Sequence, residues 1–400
     1  MQKQSLWTKE FLLDNCILFS LNMGYFILYS TMGIYTRGLT SVEFYVGLVT
    51  GIFTFASLCT RFFSGRLLDK TAPKQILLLG LLISLLASLG YLFAGSLPLL
   101  VFMRILNGLG YGLSSAAAAT LVSSMLPAHR LLEGLGYSQM VFTVCGALGP
   151  SIGLNLSHSD YQQFGKVFLI TCFFAALSVC FTLGLKTKQR PAAAEATAAA
   201  LEPQQQPIIS PATIVFLVLT FLLAFAQSTV VACLNLYALD RQLGNMSLFF
   251  VIFAVTNFCV RLFMGKILRV IPERVILLCI TAILVLVYLG IFAGNQAIWI
   301  FLLAVPFGFS MGFYYPLMTT KTIRTISPAR QGTSNTLYLA AEDIAFFLGA
   351  LFWSGISPFL GGYQNIYGLA ALLAGCMLCI VIGYPAVLKK LQVQEDVWER

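Results

Sequence analysis

The sequence predicts an all-α membrane protein with twelve transmembrane helices in two six-helix bundles related by pseudo-twofold symmetry. Three observations predict it. The 400-residue chain is 58% hydrophobic and only 10% charged, with a mean hydropathy of +0.87. A soluble domain of this size has no interior large enough for so much apolar surface. Apolar runs of about 18 residues or more recur along the chain, each able to cross roughly 30 Å of hydrocarbon as a helix. Finally, features repeat at a fixed offset of half the chain. Cys59, Arg61 and Phe63 return as Cys259, Arg261 and Phe263; Gly108, Gly112 and Arg130 return as Gly308, Gly312 and Arg330. A half-chain period of this kind means two parallel structural repeats.

Taken in order, the spans fall at about 11–36, 44–64, 76–95, 98–123, 134–156, 164–186, 213–239, 245–264, 275–294, 297–322, 335–357 and 365–388, each boundary good to roughly 2–4 residues. The first follows Lys3 and Lys9 but is too long for a signal-peptide core and has no small-residue cleavage site after it, so it is expected to stay in the membrane. Residues 187–212, rich in Ala, Pro and Gln, read as a flexible cytoplasmic linker. They divide the chain into an N-terminal bundle, 1–186, and a C-terminal bundle, 213–400.

The formal charge of +9 does not indicate a nucleic-acid partner, because the bases sit between spans. With the N-terminus inside, twenty of the 24 Lys and Arg residues lie in cytoplasmic segments or span ends. Arg37, Lys166 and Arg241 lie outside, and Arg104 lies within a span. That asymmetry places both termini in the cytoplasm. The ten cysteines all lie in apolar spans and read as packing residues. His129 and His158 fall at opposite faces, so no metal centre is expected.

Between the second and third spans stands a polar loop, Gly65-Arg66-Leu67-Leu68-Asp69-Lys70-Thr71-Ala72-Pro73-Lys74. It resembles the major facilitator superfamily signature Gly-x-x-x-Asp-Arg/Lys-x-Gly-Arg/Lys-Arg/Lys at Gly65, Asp69, Lys70 and Lys74, with Ala72 and Pro73 departing from it. Arg104-Ile-Leu-Asn107-Gly108-Leu-Gly110 in the fourth span is similar to the family's Arg-x-x-Gln-Gly-x-Gly. Gly149-Pro150-Ser-Ile-Gly153, preceded by Gly146, resembles the antiporter-associated motif of the fifth span, with Leu154 in place of its last Gly. The likeness covers nearly the whole chain and is nearest to the bacterial drug:proton antiporter branch. It implies a secondary transporter working by alternating access.

The resemblance implies that Gly65, Asp69, Lys70 and Lys74, with Arg130, latch the cytoplasmic side; the same loop also reads as an ordinary topogenic turn whose bases meet anionic lipid. The second copy has Arg269 where the first has Asp69, so a weaker latch is expected there. The small residues Gly146, Gly149 and Gly153, with a Pro150 kink, suit either a seam on which the bundles rock or a plain packing face.

Charges at bilayer depth need a partner or water. They stand at Asp14, Arg104 and the pair Glu342–Asp343. Arg104 shares a helical face with Asn107, Tyr111 and Ser115, and is suited to an anionic substrate group, an acid or backbone carbonyls. The family comparison implies a coupling role. Glu342 and Asp343 point roughly 100° apart. Burial and mutual repulsion leave at least one of them expected to hold a proton near neutral pH, unless they pair with Lys321 or Arg324. Asp14 either reaches water at the membrane edge or joins a stripe with Asn22, Tyr25 and Tyr29. With Gln227 and Asn235 on the seventh span and Met311, Tyr314 and Tyr315 on the tenth, these residues are candidates for a cavity suited to amphiphilic compounds.

The expected function is proton-coupled efflux of small amphiphilic compounds or drugs. The protein is expected to be a monomer in a bacterial inner membrane, using a proton gradient and no cofactor. The alternatives are a transporter of a polar metabolite, sugar or siderophore, and a non-transporting receptor. No nucleophile–base pair, metal cluster or phosphate loop points to an enzyme. Gly108-Leu-Gly110-Tyr-Gly112 lies inside a span rather than after a strand, which excludes a nucleotide loop.

Overall fold

In the computed structural model, residues 8–68, 71–125, 131–157, 164–185, 211–324 and 331–390 are described. They form two compact units, Met1–Thr197 and Ala198–Arg400. Twelve of the described helices are long and apolar enough to cross a membrane. In the first unit they are α1 (Lys9–Leu39), α2 (Glu43–Leu68), α3 (Pro73–Tyr91), α4 (Leu97–Met125), α5 (Leu131–Ser157) and α6 (Phe164–Gly184). The second unit opens with α7, made of Pro211–Ser228, a π-helical turn Thr229–Cys233, and Leu234–Asp240. It continues with α8 (Ser247–Val270), α9 (Glu273–Ala293), α10 (Ala297–Arg324), α11 (Gln331–Ile356) and α12 (Tyr363–Lys390).

Helix ends follow local chemistry. Thr8 caps α1, its hydroxyl accepting from the Phe11 amide at 3.2 Å, which satisfies one of the free donors of a first turn. Pro73 opens α3 at a position where its missing N–H costs nothing. The helices overrun the polar segments read from the sequence. Residues 65–68 belong to α2 and 265–270 to α8, so the loops between repeated helices are only a few residues long. Linker residues 186–210 lie outside the described residues.

Both units use the same pairings: α2 on α4 and α8 on α10, α1 on α5 and α7 on α11, α3 on α4 and α9 on α10, α3 on α6 and α9 on α12. Glycine makes one of these crossings possible in each repeat. A Cβ on Gly108 would collide with the Phe53 carbonyl oxygen, and one on Gly308 would stand 2.5 Å from that of Phe253. Helix backbones approach this closely only where a side chain is missing.

The repeat is offset on the first helix of each unit. Tyr35 donates to Ala94 O at 3.0 Å, and Tyr237 donates to Gly294 O at 2.5 Å. The acceptors are 200 residues apart and the donors 202. The π-helical turn Thr229–Cys233, which takes an extra residue into one turn, absorbs part of that slip. Tyr367 donates to the Thr229 carbonyl at 3.0 Å, satisfying a backbone acceptor within the turn.

Candidate functional site

In the first unit, α1, α2 and α4 bring the predicted polar and aromatic residues together. Tyr111 donates to Asn22 Oδ1 at 2.8 Å, while Asn22 Nδ2 donates to Leu18 O at 2.7 Å. Tyr25 stacks against both Phe53 at 5.2 Å and Tyr111 at 5.1 Å, whose own centroids lie 5.4 Å apart, with the buried Tyr29 ring at 5.5 Å. Asn107 Nδ2 lies 3.5 Å from Ser84 O. Beside them a cavity of about 20 Å³ is lined by Ser20, Ser84, Ser88, Asn107 and Tyr111 among others. That is room for about one water among several hydroxyls.

Arg104 does not join this stripe as a free charge. It is fully buried and donates through Nε to Val49 O at 2.9 Å and through Nη2 to Thr50 O at 3.3 Å. Its guanidinium carbon lies 4.9 Å from the Phe53 ring centre. Of the roles open from the sequence, the geometry shows the third: the fork binds backbone carbonyls and staples α4 to α2.

Asp14 is fully buried, and neither carboxyl oxygen has a hydrogen-bond partner among the described residues. It does not reach water at the membrane edge. Ile17 and Leu21, which follow it on α1, belong to an apolar core with Leu77, Leu81, Ala118 and Leu121.

The small residues of the antiporter-type motif form a packing face within their own unit. Cβ atoms on Gly149 and Gly153 would meet Phe26 Cβ at 2.5 Å and Thr31 Cγ2 at 2.9 Å, and Gly146 faces the Phe26 ring at 3.4 Å. All three glycines face α1 of their own unit. Pro150 lies inside α5. Of the polar loop, Lys74 donates to Leu185 O at 2.5 Å and so ties the start of α3 to the end of α6. Asp69, Lys70 and Arg130 lie outside the described residues, as do the surroundings of the Gly65 position.

The second unit holds a charged cluster that only partly follows the sequence reading. Arg261 of α8 stands within electrostatic reach of Tyr315, Tyr338 and Glu342. Tyr315 of α10 donates to Gln227 Oε1 of α7, and Tyr338 of α11 lies beside Thr319. Glu342 is therefore the member of the Glu342–Asp343 pair that faces this cluster. Lys321 forms an ion pair with Glu273 of α9 at 2.8 Å. Asn235 is buried on α7. Met311 and Tyr314 are also fully buried, and Tyr314 donates to Leu219 O at 3.1 Å. Tyr314 thus ties α10 to α7.

Arg261 and Lys321 were missed as charges at depth because they counted as span-end bases. The available signal was distance along the helix, since Arg261 sits nine residues before the end of α8.

Twelve helices of membrane-spanning length in two repeated units, with polar and charged side chains buried among them, define a multi-pass membrane protein. The chain belongs to the Major Facilitator Superfamily, whose model matches residues 15–350. Over 105 residues it is 31% identical to an uncharacterised MFS-type transporter of Mycobacterium tuberculosis, covering 26% of this chain and 18% of that protein. Over 147 residues it is 23% identical to a homologue of the multi-drug resistance efflux pump PmrA of Lactococcus lactis, covering 37% and 36%. The match therefore spans about a fifth to a third of the length of these relatives. A POT family transporter crystallised with 5-aminolevulinic acid superposes with a TM-score of 0.79 at 14% identity, over 96% of both chains. A D-xylose–proton symporter superposes at 0.74 and 13% identity, over 93% of this chain and 96% of that one. At such identities the likeness is one of fold.

Proposed function

We propose that the protein exports small amphiphilic compounds in exchange for protons by alternating access, as a monomer in a bacterial inner membrane with both termini cytoplasmic and no cofactor. The observation that carries this reading is Asp14. A carboxyl at membrane depth with no hydrogen-bond partner among the described residues has nothing there to offset the desolvation of its ionised form. It keeps a proton while sealed and releases it when the cycle admits water or a cationic group. Glu342, beside Arg261, is the corresponding acid of the second unit. The stacked rings of Tyr25, Phe53 and Tyr111 suit a flat apolar portion of a substrate. The relative named as a multi-drug efflux pump supports the direction of transport.

The test is dye movement in inverted membrane vesicles. An acid-inside gradient should drive rhodamine 6G into vesicles that contain the protein, and a protonophore should stop it. Uptake that ignores the gradient, or that persists in both Asp14→Asn and Glu342→Gln, contradicts the reading.

A further inference from the structure

Two hydrogen-bond donors at the Glu342 cluster have no acceptor. Arg261 Nε is buried without a hydrogen-bond partner among the described residues, and the Tyr338 hydroxyl, which has only Thr319 beside it, makes no hydrogen bond of normal geometry among them. Tyr338 is 4% exposed. The two side chains stand within electrostatic reach of each other and of Glu342. The other phenol, Tyr315, is already engaged with Gln227. Leaving two neighbouring donors unsatisfied at such depth costs stability, and natural cores rarely do so without a reason.

We propose that Arg261 and Tyr338 form a binding site for the carboxylate of a zwitterionic amphiphile, whose ammonium group takes the place of the proton on Glu342. The donor set argues for an oxyanion: a guanidinium edge and a phenol hydroxyl together match a carboxylate's two oxygens. Glu342 argues against a simple anion, because an anion on Arg261 meets a second negative charge whenever Glu342 is ionised. A simple cation at Glu342 meets the fixed charge of Arg261. A ligand carrying both charges offsets both groups and leaves no donor unpaired. The carboxylate half of this assignment stands on the two buried donors and their electrostatic proximity, and only the exchange of ammonium for proton rests on the reading of Glu342 given above.

Equilibrium binding of three probes of one shape tests it, using the purified full-length protein at pH 7 with no gradient. Phenylalanine carries both charges, 3-phenylpropionate lacks the ammonium and phenethylamine lacks the carboxylate. Phenylalanine should bind at least tenfold more tightly than either analogue. Arg261→Gln and Tyr338→Phe should each remove most of that preference; Tyr338→Phe should leave phenethylamine binding unchanged, while Arg261→Gln, which removes the charge that repels a cation, should strengthen it. Tyr338→Phe keeps the ring and the packing, so its melting temperature serves as the folding control. Equal binding of the three probes, no measurable binding of phenylalanine, or a preference that survives in a well-folded Tyr338→Phe overturns the proposal. A zwitterion preference without proton-driven dye flux would count against the exporter reading alone, and flux without the preference against this site alone.

Discussion

Glu273, the first residue of α9, reaches Lys321 of α10 at 2.8 Å, and the lysine side chain is almost wholly buried while the glutamate keeps some exposure. The contact is one of charge and distance rather than a well-aligned hydrogen bond. It ties two helices of the second unit at the end where that unit repeats the polar loop of the first. Glu273→Gln should lower stability by roughly 1–3 kcal/mol, less than a fully enclosed pair because water screens the glutamate. A second change, Lys321→Met, should recover most of the loss by removing the stranded charge. Thermal unfolding of the single and double variants in detergent checks both signs.

Arg104 acts through geometry as well as charge. Lysine keeps the charge but cannot hold the carbonyls of Val49 and Thr50 in one rigid fork. Arg104→Lys should therefore destabilise the first unit by about 2 kcal/mol. A melting temperature equal to wild type would show that the α2–α4 staple contributes nothing.

Glycine substitutions should change sign with position. At Gly108 and Gly308 a methyl group meets the carbonyls of Phe53 and Phe253, and backbone cannot step aside as a side chain end can. Gly108→Ala and Gly308→Ala should each cost roughly 1–3 kcal/mol. Gly375 has nothing within 4 Å of its Cβ position, so Gly375→Ala should stabilise α12 by about 0.5–1 kcal/mol. Melting temperatures of the three variants, compared side by side, decide it.

Much of this architecture was legible in the sequence because hydropathy and period are both one-dimensional signals. Gly108 and Gly308 could be paired by counting, and the structure places the same kind of carbonyl against each. What a residue touches is not one-dimensional. The spacing of Gly146, Gly149 and Gly153 gave a helical face but not the α1 helix that covers it. Arg261 was grouped with loop bases because α8 continues nine residues beyond it, through Lys266 and Arg269. Glu273 stands where the first repeat has Pro73, so comparison of the repeats passed over the ion pair with Lys321. The π-helical turn at Thr229–Cys233 carries no hydropathy signal, and it displaces Tyr237 from the register that Tyr35 sets.

Exchange of substrate for proton can be read directly in one measurement. Proteoliposomes holding the purified protein, loaded with rhodamine 6G and a trapped pH dye, are diluted into dye-free buffer at the same pH. Outward movement of the rhodamine should draw protons in and acidify the lumen, and Asp14→Asn should abolish the pH change. Protein-dependent dye release with no change in lumen pH would contradict the account.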